Sequence, residues 1–322
     1  MPFAPLLSHD LAAIAGVAAL RNEPLSRHTR FGIGGPASLY LECASEAGFL
    51  EALSRVQASG SPHVVIGNGT NLIVADAGYD GVVLRLAEAR VEGGEDGAVR
   101  ASAGALLQDL VDFTIARGLA GLHVMTGIPG SVGAAVYGNA GAYGRSIAAA
   151  VEQVRFFDGA RVLACSNAEC GFGYRESTFK RNKQWIILSV SLRLESGDAG
   201  ELKARADGIL EIRNRKYPPT MKCAGSIFKN LLLADLPPAV QGLVPEKTVI
   251  EGKVPSAWFL EQVGAKGMSD GDIRVADYHA NLIYNEGSGT AAQLRRIIGE
   301  LKRRVAERFG FSIEEEVQYI GF

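Results

Sequence analysis

The sequence predicts a mixed α and β protein of two or three domains, with glycine-rich segments in its first half. At 322 residues the chain exceeds the size at which one hydrophobic core usually stops growing, so a single domain is not expected. Short apolar runs typical of strands alternate with segments of helical period. Glycine is concentrated in the first half and helical patterns in the second, which suggests a cofactor-binding half and a substrate-binding half.

Composition and charge exclude several classes of protein. Apolar residues make up 47% of the chain and charged residues 21%, as in soluble globular proteins, and a net charge of -2 gives no sign of a nucleic-acid partner. None of the four cysteines lies in a CxxC pattern, so neither a metal site nor a disulfide framework is expected, and a reducing compartment suits them. No run is long and apolar enough to cross a bilayer. Residues 6–20 lack the basic start of a signal peptide, so we expect a short surface helix there.

Apolar periodicity and capping residues predict the elements in order. Ser45 and Thr290 are expected to cap helices, while Gly118 and Gly310 are expected to end them. The predicted helices are residues 45–58, 106–117, 201–215, 256–263 and 290–310. The predicted strands are residues 38–42, 63–66, 81–86, 99–103, 151–157, 185–194, 280–285 and 313–320.

Residues 32–37 formally fit the dinucleotide fingerprint GxGxxA, but their context argues against such a site. That motif should follow a strand and open a helix. Here polar residues 26–30 precede it, Pro36 lies within it, and a predicted strand follows it. We therefore reject a Rossmann site, although the glycine cluster can still cradle a ligand.

The most informative segment is residues 127–144, where glycine recurs every three to five residues among small, uncharged side chains. Glycine lets another group approach the backbone closely, and successive bare amides can bind an anion. A mobile linker is the alternative, but linkers favour Ser, Pro and charge over the Ile, Val and Tyr found here. We favour a backbone wall against a flat or phosphorylated ligand, and we do not expect an ordinary helix or strand within it.

Three further sites carry polar groups in suggestive positions. The turn Gly67-Asn68-Gly69-Thr70-Asn71 follows a predicted strand and offers donors suited to a pyrophosphate, although a hairpin turn is equally compatible. Arg175 can pair bidentately with a carboxylate or phosphate, or it can form a surface ion pair. Ser226 follows small residues that leave its hydroxyl approachable, but no GxSxG motif supports a hydrolase nucleophile.

Taken in order, these segments resemble the UDP-N-acetylenolpyruvoylglucosamine reductase (MurB) family, in its short-form branch. The resemblance is carried by segments that span nearly the whole chain: residues 29–37, 67–71, 127–144, 173–175, 224–226, 229–230 and 316–317. It implies an α+β protein with a two-subdomain FAD-binding fold (PCMH-like) and a separate α+β substrate-binding domain. The implied FAD-binding subdomains are residues 1–80 and 81–216, the second rejoined by a C-terminal strand at 311–322, and the substrate-binding domain is residues 217–310.

The resemblance also implies the reaction and its partners. The reaction is the NADPH-dependent reduction of UDP-N-acetylglucosamine enolpyruvate to UDP-N-acetylmuramate through noncovalent FAD, a step in peptidoglycan precursor synthesis. The implied partners are the UDP-linked enolpyruvyl amino sugar and NADPH, with no metal, no nucleic acid and no membrane insertion. A cytoplasmic monomer is expected.

Residue by residue, the family match implies a catalytic group of three. Hydride addition to the enolpyruvyl double bond moves negative charge onto the adjoining carboxylate, which needs stabilising groups and an acid for the neighbouring carbon. Arg175 and Glu316 are implied to contact the carboxylate and Ser226 to donate the proton. Further substrate or nicotinamide contacts are implied for Tyr174, Lys229 and Asn230. The implied FAD-binding residues are Gly67, Asn68, Gly69, Thr70, Asn71, Gly127, Ile128, Pro129, Gly130, Ser131, Gly133, Asn139, Gly141, Ala142 and Tyr143.

Some alternatives stay open. The cation for the substrate diphosphate is one of three lysines: Lys216, Lys222 or Lys266. One rival function is that of another FAD-dependent oxidoreductase of the same superfamily, acting on a sugar or hydroxy acid. Such enzymes often tether FAD through a histidine. None of the five histidines lies in the glycine-rich segment at residues 127–144, called the glycine run below. The other rival is a non-redox nucleotide-sugar binding module whose glycines serve only phosphates.

Overall fold

The computed structural model describes residues 5–322, which divide into two compact units. Unit 1 contains the described residues up to Glu23, together with Ala37–Asn68 and Gly81–Pro218. Unit 2 contains Pro24–Pro36, Gly69–Asp80 and Pro219–Phe322. Each unit has a hydrophobic core of its own. Both units are therefore assembled from separate stretches of the chain.

Helices and strands are both abundant, which confirms the predicted mixed class. The α-helices of the described residues are α1 (Pro5–Ala12), α2 (Glu46–Ala58), α3 (Leu107–Ala116), α4 (Val132–Tyr137), α5 (Thr178–Arg181), α6 (Ala199–Lys216), α7 (Pro238–Gln241), α8 (Ser256–Gln262) and α9 (Ala291–Phe309). The strands up to residue 166 are β1 (Val17–Pro24), β2 (Pro36–Cys43), β3 (His63–Ile66), β4 (Leu72–Val74), β5 (Tyr79–Leu86), β6 (Val91–Gly93), β7 (Ala98–Ser102), β8 (Leu119–Ala120), β9 (Gly141–Ala142), β10 (Arg145–Ser146), β11 (Val151–Phe157) and β12 (Val162–Ser166). The later strands are β13 (Ile186–Arg193), β14 (Glu195–Ser196), β15 (Lys222–Ser226), β16 (Leu231–Leu232), β17 (Lys253–Val254), β18 (Ser269–Asp270), β19 (Ile273–Ala276), β20 (His279–Asn285) and β21 (Gln318–Ile320).

Unit 1 is built on two main sheets. The first has the strand order β1-β2-β5-β3, with β3 and β5 parallel. The second has the order β12-β11-β13-β7-β6 and is antiparallel throughout. Helix α2 buries Phe49, Leu53 and Val56 in the core of this unit. As predicted, the Ser45 side chain caps α2 by accepting a hydrogen bond from the N–H of Gly48.

Unit 2 is built on the antiparallel sheet β15-β20-β19-β18 and the long helix α9. Helix α9 begins with a capping box between Thr290 and Gln293. The carboxylate of Asp76 accepts two further hydrogen bonds at the same helix end, from the N–H groups of Ala291 at 2.8 Å and Ala292 at 2.9 Å. A negative charge at this end also complements the helix dipole. No helix among residues 5–322 combines the length and hydropathy that crossing a membrane requires.

The C-terminal strand β21 pairs in parallel with β4, with Gln318 opposite Leu72. We expected residues 311–322 to rejoin the segment 81–216, whereas the pairing found is with residues 72–74. The strand is also shorter than the predicted 313–320, because residues 314–316 pair instead with the segment that follows β15. The domain boundaries inferred from the sequence remain a prediction.

Most predicted helices and strands are confirmed to within a few residues, but the N-terminal segment differs. Helix α1 ends at Ala12, and residues predicted to continue a surface helix form strand β1 instead. Gly16, with φ at 75°, turns the chain between the two elements. The pairing of β1 with β2 therefore overrides the helix propensity of the alanine-rich sequence.

Candidate functional site

In unit 1 the turn after β3 meets the start of α4. A Cβ atom placed on Gly67 would lie 2.7 Å from Ser131 Oγ, so only glycine lets the two segments approach this closely. The same Oγ accepts the N–H of Ala134 at 3.3 Å and caps α4. Gly67 and Ser131, two residues predicted to bind the cofactor, which are 64 residues apart in the sequence, are therefore neighbours in the fold.

The turn at residues 67–71 is not a hairpin, so that alternative is wrong. The strand before it, β3, pairs with β5, whereas the strand after it, β4, pairs with β21 in a different sheet. The Oδ1 atom of Asn68 is buried and has no hydrogen-bond partner within the chain. A buried acceptor without a partner is costly unless a bound group or water supplies a donor. The turn thus has a polar atom available to a ligand.

The glycine run is ordered, which excludes the linker, and it contains helix α4, which we did not expect. The N–H groups of Val132 and Gly133 donate to the carbonyls of Ala105 and Ala103 at 2.8 and 2.9 Å. A Cβ atom on Gly133 would be only 2.8 Å from the Cβ of Ala103. These bonds and the Ser131 cap offset the low helix propensity of glycine. Close packing inside the unit therefore requires glycine at position 133.

The end of the run forms a tight hairpin between β9 and β10. Its two loop residues, Tyr143 and Gly144, have φ values of 51° and 76°, as a type I′ turn requires. The Tyr143 side chain is 53% exposed at the tip.

Burial shifts the pKa values of two side chains near the glycine run. It lowers the pKa of His123, which precedes the run, and raises the pKa of Tyr137, which lies within it. Both shifts favour the uncharged form of the side chain.

Arg175 lies in a second tight turn of unit 1. Gly173 and Glu176 exchange main-chain hydrogen bonds of 3.0 and 3.2 Å, and Arg175 between them has a φ of 57°. This left-handed conformation costs a residue with a side chain about 1–2 kcal/mol. Backbone strain of this kind persists where the surroundings hold the residue firmly, and it is often found at functional sites.

Neighbouring side chains hold the Arg175 turn in place. Asn139, which is buried, donates from Nδ2 to the carbonyl of Gly173 at 2.7 Å, and Lys180 Nζ donates to the carbonyl of Arg175 at 2.8 Å. Nη2 of Arg175 donates to the carbonyl of Gly141 at 3.3 Å, and its guanidinium lies 5.3 Å from the centre of the Tyr174 ring. The Arg175 turn and the glycine run are therefore directly linked.

In unit 2 the segment after Ser226 lies beside the segment that carries Glu316. The N–H of Glu316 donates to the carbonyl of Ile227 at 2.7 Å, and the N–H of Lys229 donates to the carbonyl of Glu314 at 2.9 Å. The structure thus makes Glu316 the hydrogen-bond partner of the residue that follows Ser226. Two of the three predicted catalytic residues are neighbours within one unit.

The remaining polar residues predicted here also have defined partners. Lys229 Nζ lies 2.9 Å from Glu314 Oε2, and Asn230 Oδ1 accepts the N–H of Ser256 at 3.3 Å. Asn71 donates from Nδ2 to the carbonyl of Glu316 at 2.9 Å. We expected Asn71 to bind the cofactor, and nothing in its sequence neighbourhood indicates the contact with Glu316.

The three lysines considered for the substrate diphosphate differ in their surroundings. Lys266 forms an ion pair with Glu261 at 2.8 Å. Lys222 packs its aliphatic chain against Gly32 and donates to the carbonyl of Gly287 at 3.4 Å. Lys216 lies 5.2 Å from the centre of the Tyr217 ring. The choice among the three stays open.

Comparisons with known proteins agree over nearly the whole chain. Residues 37–161 match the family described as FAD binding domain, and residues 217–320 match the C-terminal domain of UDP-N-acetylenolpyruvoylglucosamine reductase. A protein of that name from Solibacter usitatus is 59% identical over 97% of this chain and 99% of its own length. Another, from Rubrobacter xylanophilus, is 37% identical over 94% of this chain and 96% of its own length.

A solved structure gives the same result. The crystal structure of UDP-N-acetylenolpyruvylglucosamine reductase (MurB) from Thermus caldophilus matches with a TM-score of 0.73 and 30% sequence identity. The match covers 95% of this chain and 99% of that one. Together with the two family matches, it confirms the predicted α+β class, with an FAD-binding fold ahead of a separate C-terminal domain.

Proposed function

Because the chain belongs to the UDP-N-acetylenolpyruvoylglucosamine reductase family, we propose that it reduces UDP-N-acetylglucosamine enolpyruvate to UDP-N-acetylmuramate, using Arg175, Ser226 and Glu316. The observation that carries the reaction is the 59% identity to a protein of that name over nearly the full length of both chains. The enzyme is an FAD-dependent oxidoreductase with NADPH as its reductant. Its product is a precursor of peptidoglycan.

The turn after β3 and the glycine run fit a bound FAD. When bound, FAD supplies the transfer of hydride from NADPH to the enolpyruvyl double bond. The buried Oδ1 of Asn68 offers an acceptor without a partner in the chain, in a turn whose Gly67 lies against Ser131 at the start of α4. We assign FAD binding to the residues predicted for it: Gly67, Asn68, Gly69, Thr70, Asn71, Gly127, Ile128, Pro129, Gly130, Ser131, Gly133, Asn139, Gly141, Ala142 and Tyr143.

We assign binding of the substrate carboxylate to Arg175. The carboxylate gains negative charge as hydride adds to the double bond, so donors fixed beforehand stabilise the transition state more than the ground state. The strained turn and its bonds from Asn139 and Lys180 hold the main chain of Arg175 in one place. A guanidinium also matches the two oxygens of a carboxylate in geometry.

Ser226 and Glu316 are assigned to the same stage of the reaction. Ser226 gives its hydroxyl proton to the carbon next to the carboxylate, and Glu316 contacts that carboxylate. A serine hydroxyl is a weak acid, so it can protonate only a strongly basic carbon at contact distance. The bond between Glu316 and Ile227 supports this pairing because it ties the two segments together. Tyr174, Lys229 and Asn230 are assigned to secondary contacts with the substrate or nicotinamide.

We further propose that the enzyme acts as a cytoplasmic monomer. A reducing compartment accords with the four buried cysteines, which carry no disulfide. Sedimentation equilibrium of the FAD-loaded protein tests the oligomeric state, and a dimer would contradict that part of the proposal.

Stopped-flow kinetics of Ser226→Ala tests the reaction and the role of the serine together. With NADPH alone, bleaching of the flavin absorbance should match that of the parent protein. Reoxidation by the enolpyruvyl substrate should be slower by about 10²–10⁴-fold, the usual contribution of a general acid. Ser269→Ala, at an exposed position of the same unit, is the matched control and should change neither rate.

Two results would contradict the proposal in different ways. If the purified protein neither contains nor takes up FAD, the proposed reaction is wrong. If Ser226→Ala leaves both half-reactions intact, the reaction stands but the proton comes from another group.

A further inference from the structure

The segment that follows Ser226 is held by a side chain where regular strand pairing fails. Strand β15 pairs with β20, but the register shifts between Cys223 and Ser226, and Gly225 has a φ of 76°. Beyond Ser226, Asn281 of β20 takes over the pairing. Its Oδ1 accepts the N–H of Phe228 at 2.9 Å, and its Nδ2 donates to the carbonyl of Phe228 at 2.8 Å.

Asn281 is placed to hold the segment after Ser226 in a fixed position. It is 2% exposed, and its own main-chain carbonyl accepts the N–H of Ile227 at 3.1 Å. The opposite edge of the segment is bonded to the C-terminal stretch, where the carbonyl of Ile227 accepts the N–H of Glu316. Residues 227 and 228 are therefore bonded on one side to Asn281 and on the other to the segment of Glu316.

We propose that Asn281 is a positioning residue for proton donation by Ser226. It completes the missing strand pairing and so sets where the Ser226 main chain lies relative to Glu316. The inference rests on the proposed function, because it assumes that Ser226 is the acid. A displacement of about 1 Å at a reacting group can lower a rate by about 10²-fold. Loss of the Asn281 side-chain bonds should therefore slow the step that needs the serine.

Asn281→Ala is the direct test, with Asn285→Ala as its matched control. Asn285 is a buried asparagine on the same strand, and its side chain also bonds main-chain groups, donating to the carbonyl of Phe31 at 3.0 Å. Both variants lose buried hydrogen bonds and should melt at lower temperature. Only Asn281→Ala should slow reoxidation by the substrate, by about 10–100-fold. Flavin reduction by NADPH should stay within about twofold of the parent in both variants.

A double variant separates positioning from general damage. If Asn281 acts through Ser226, adding Asn281→Ala to Ser226→Ala should slow reoxidation little further, because the serine is already gone. Amide hydrogen exchange without substrate gives a second readout. In Asn281→Ala the peptide covering residues 227–229 should exchange faster than in Asn285→Ala.

The outcomes that overturn the inference are distinct from those that overturn the proposed function. Equal slowing of both half-reactions, or full additivity with Ser226→Ala, would make Asn281 a structural residue only. No slowing in Asn281→Ala while Ser226→Ala is slow would also refute the inference. If Ser226→Ala itself has no effect, the assignment of Ser226 as the acid is wrong, and the inference about Asn281 falls with it. Should Asn281→Ala not fold, Asn281→Asp retains the acceptor for Phe228 and should show a smaller effect on the same half-reaction.

Discussion

Replacing Gly67 with alanine probes the contact between the turn after β3 and the cap of α4. The new Cβ would lie 2.7 Å from Ser131 Oγ, whereas ordinary van der Waals contact begins at 3.4 Å. Overpacking of this kind costs about 1–3 kcal/mol in the free energy of unfolding. Since φ at Gly67 is not positive, the backbone itself accepts alanine, and the loss is attributable to the Ser131 contact.

A double variant makes the prediction quantitative. Ser131→Ala alone removes the cap of α4 and should cost about 1 kcal/mol. In Gly67→Ala/Ser131→Ala the colliding oxygen is absent, and the nearest remaining atoms are the Cβ of Ala134 at 3.5 Å and the Cβ of residue 131 at 3.8 Å. The double variant should therefore cost about 1 kcal/mol rather than the sum of the two single changes, which is about 2–4 kcal/mol.

Thermal unfolding and flavin content after gel filtration measure the effect. Gly67→Ala should lower both the melting temperature and the FAD retained, and adding Ser131→Ala should restore part of the melting temperature. Gly208→Ala is the control: it lies within α6 with no atom within 4 Å of its added Cβ, so it should raise stability by about 0.5–1 kcal/mol. Single effects that add to within about 0.5 kcal/mol in the double variant would refute the proposed collision.

Two further predictions concern the stability of each unit. Asp76→Ala removes two hydrogen-bond acceptors at the start of α9 and should lower the free energy of unfolding by about 1–2 kcal/mol in urea titrations. An unchanged urea midpoint would contradict the capping role of Asp76. In unit 1, burial raises the pKa of Cys43 from 9.0 to about 12. Folding then favours the thiol of Cys43 over its thiolate. Its contribution to the free energy of unfolding is therefore complete below pH 9 and is lost as the pH rises towards 12. Cys43→Ala should flatten the alkaline fall in stability by up to about 1.4 kcal/mol per pH unit, and parallel pH profiles would contradict this.

Local signals in the sequence were sufficient for the helices that carry their own caps. Ser45 and Thr290 are followed by apolar residues at helical spacing, and each caps its helix as predicted. Helix α4 could not be predicted in this way, because its start depends on carbonyls at Ala103 and Ala105 that no neighbouring residue reveals. Strand β1 was missed for a similar reason, since its pairing with β2 outweighs its alanine-rich composition.

The same distinction applies to the candidate site. The residue types of Arg175 and Ser226 and the family pattern were enough to select them, but their supports were not visible in the sequence. Asn281 is 53 residues from Phe228, and Asn71 is 245 residues from Glu316. A hydrogen bond over such separations leaves no periodic signal. The side chains that support a candidate site are thus harder to find from sequence than the side chains proposed to react.

The way unit 2 is assembled has a consequence for biosynthesis. Its stretches Pro24–Pro36 and Gly69–Asp80 emerge from the ribosome early, yet strand β4 lacks its partner until β21 has been translated, 246 residues later. Most of unit 1 is released before then and can fold first. A nascent chain stalled before Gln318 therefore still exposes the edge of β4, and removing residues 318–320 should impair maturation far more than their number suggests.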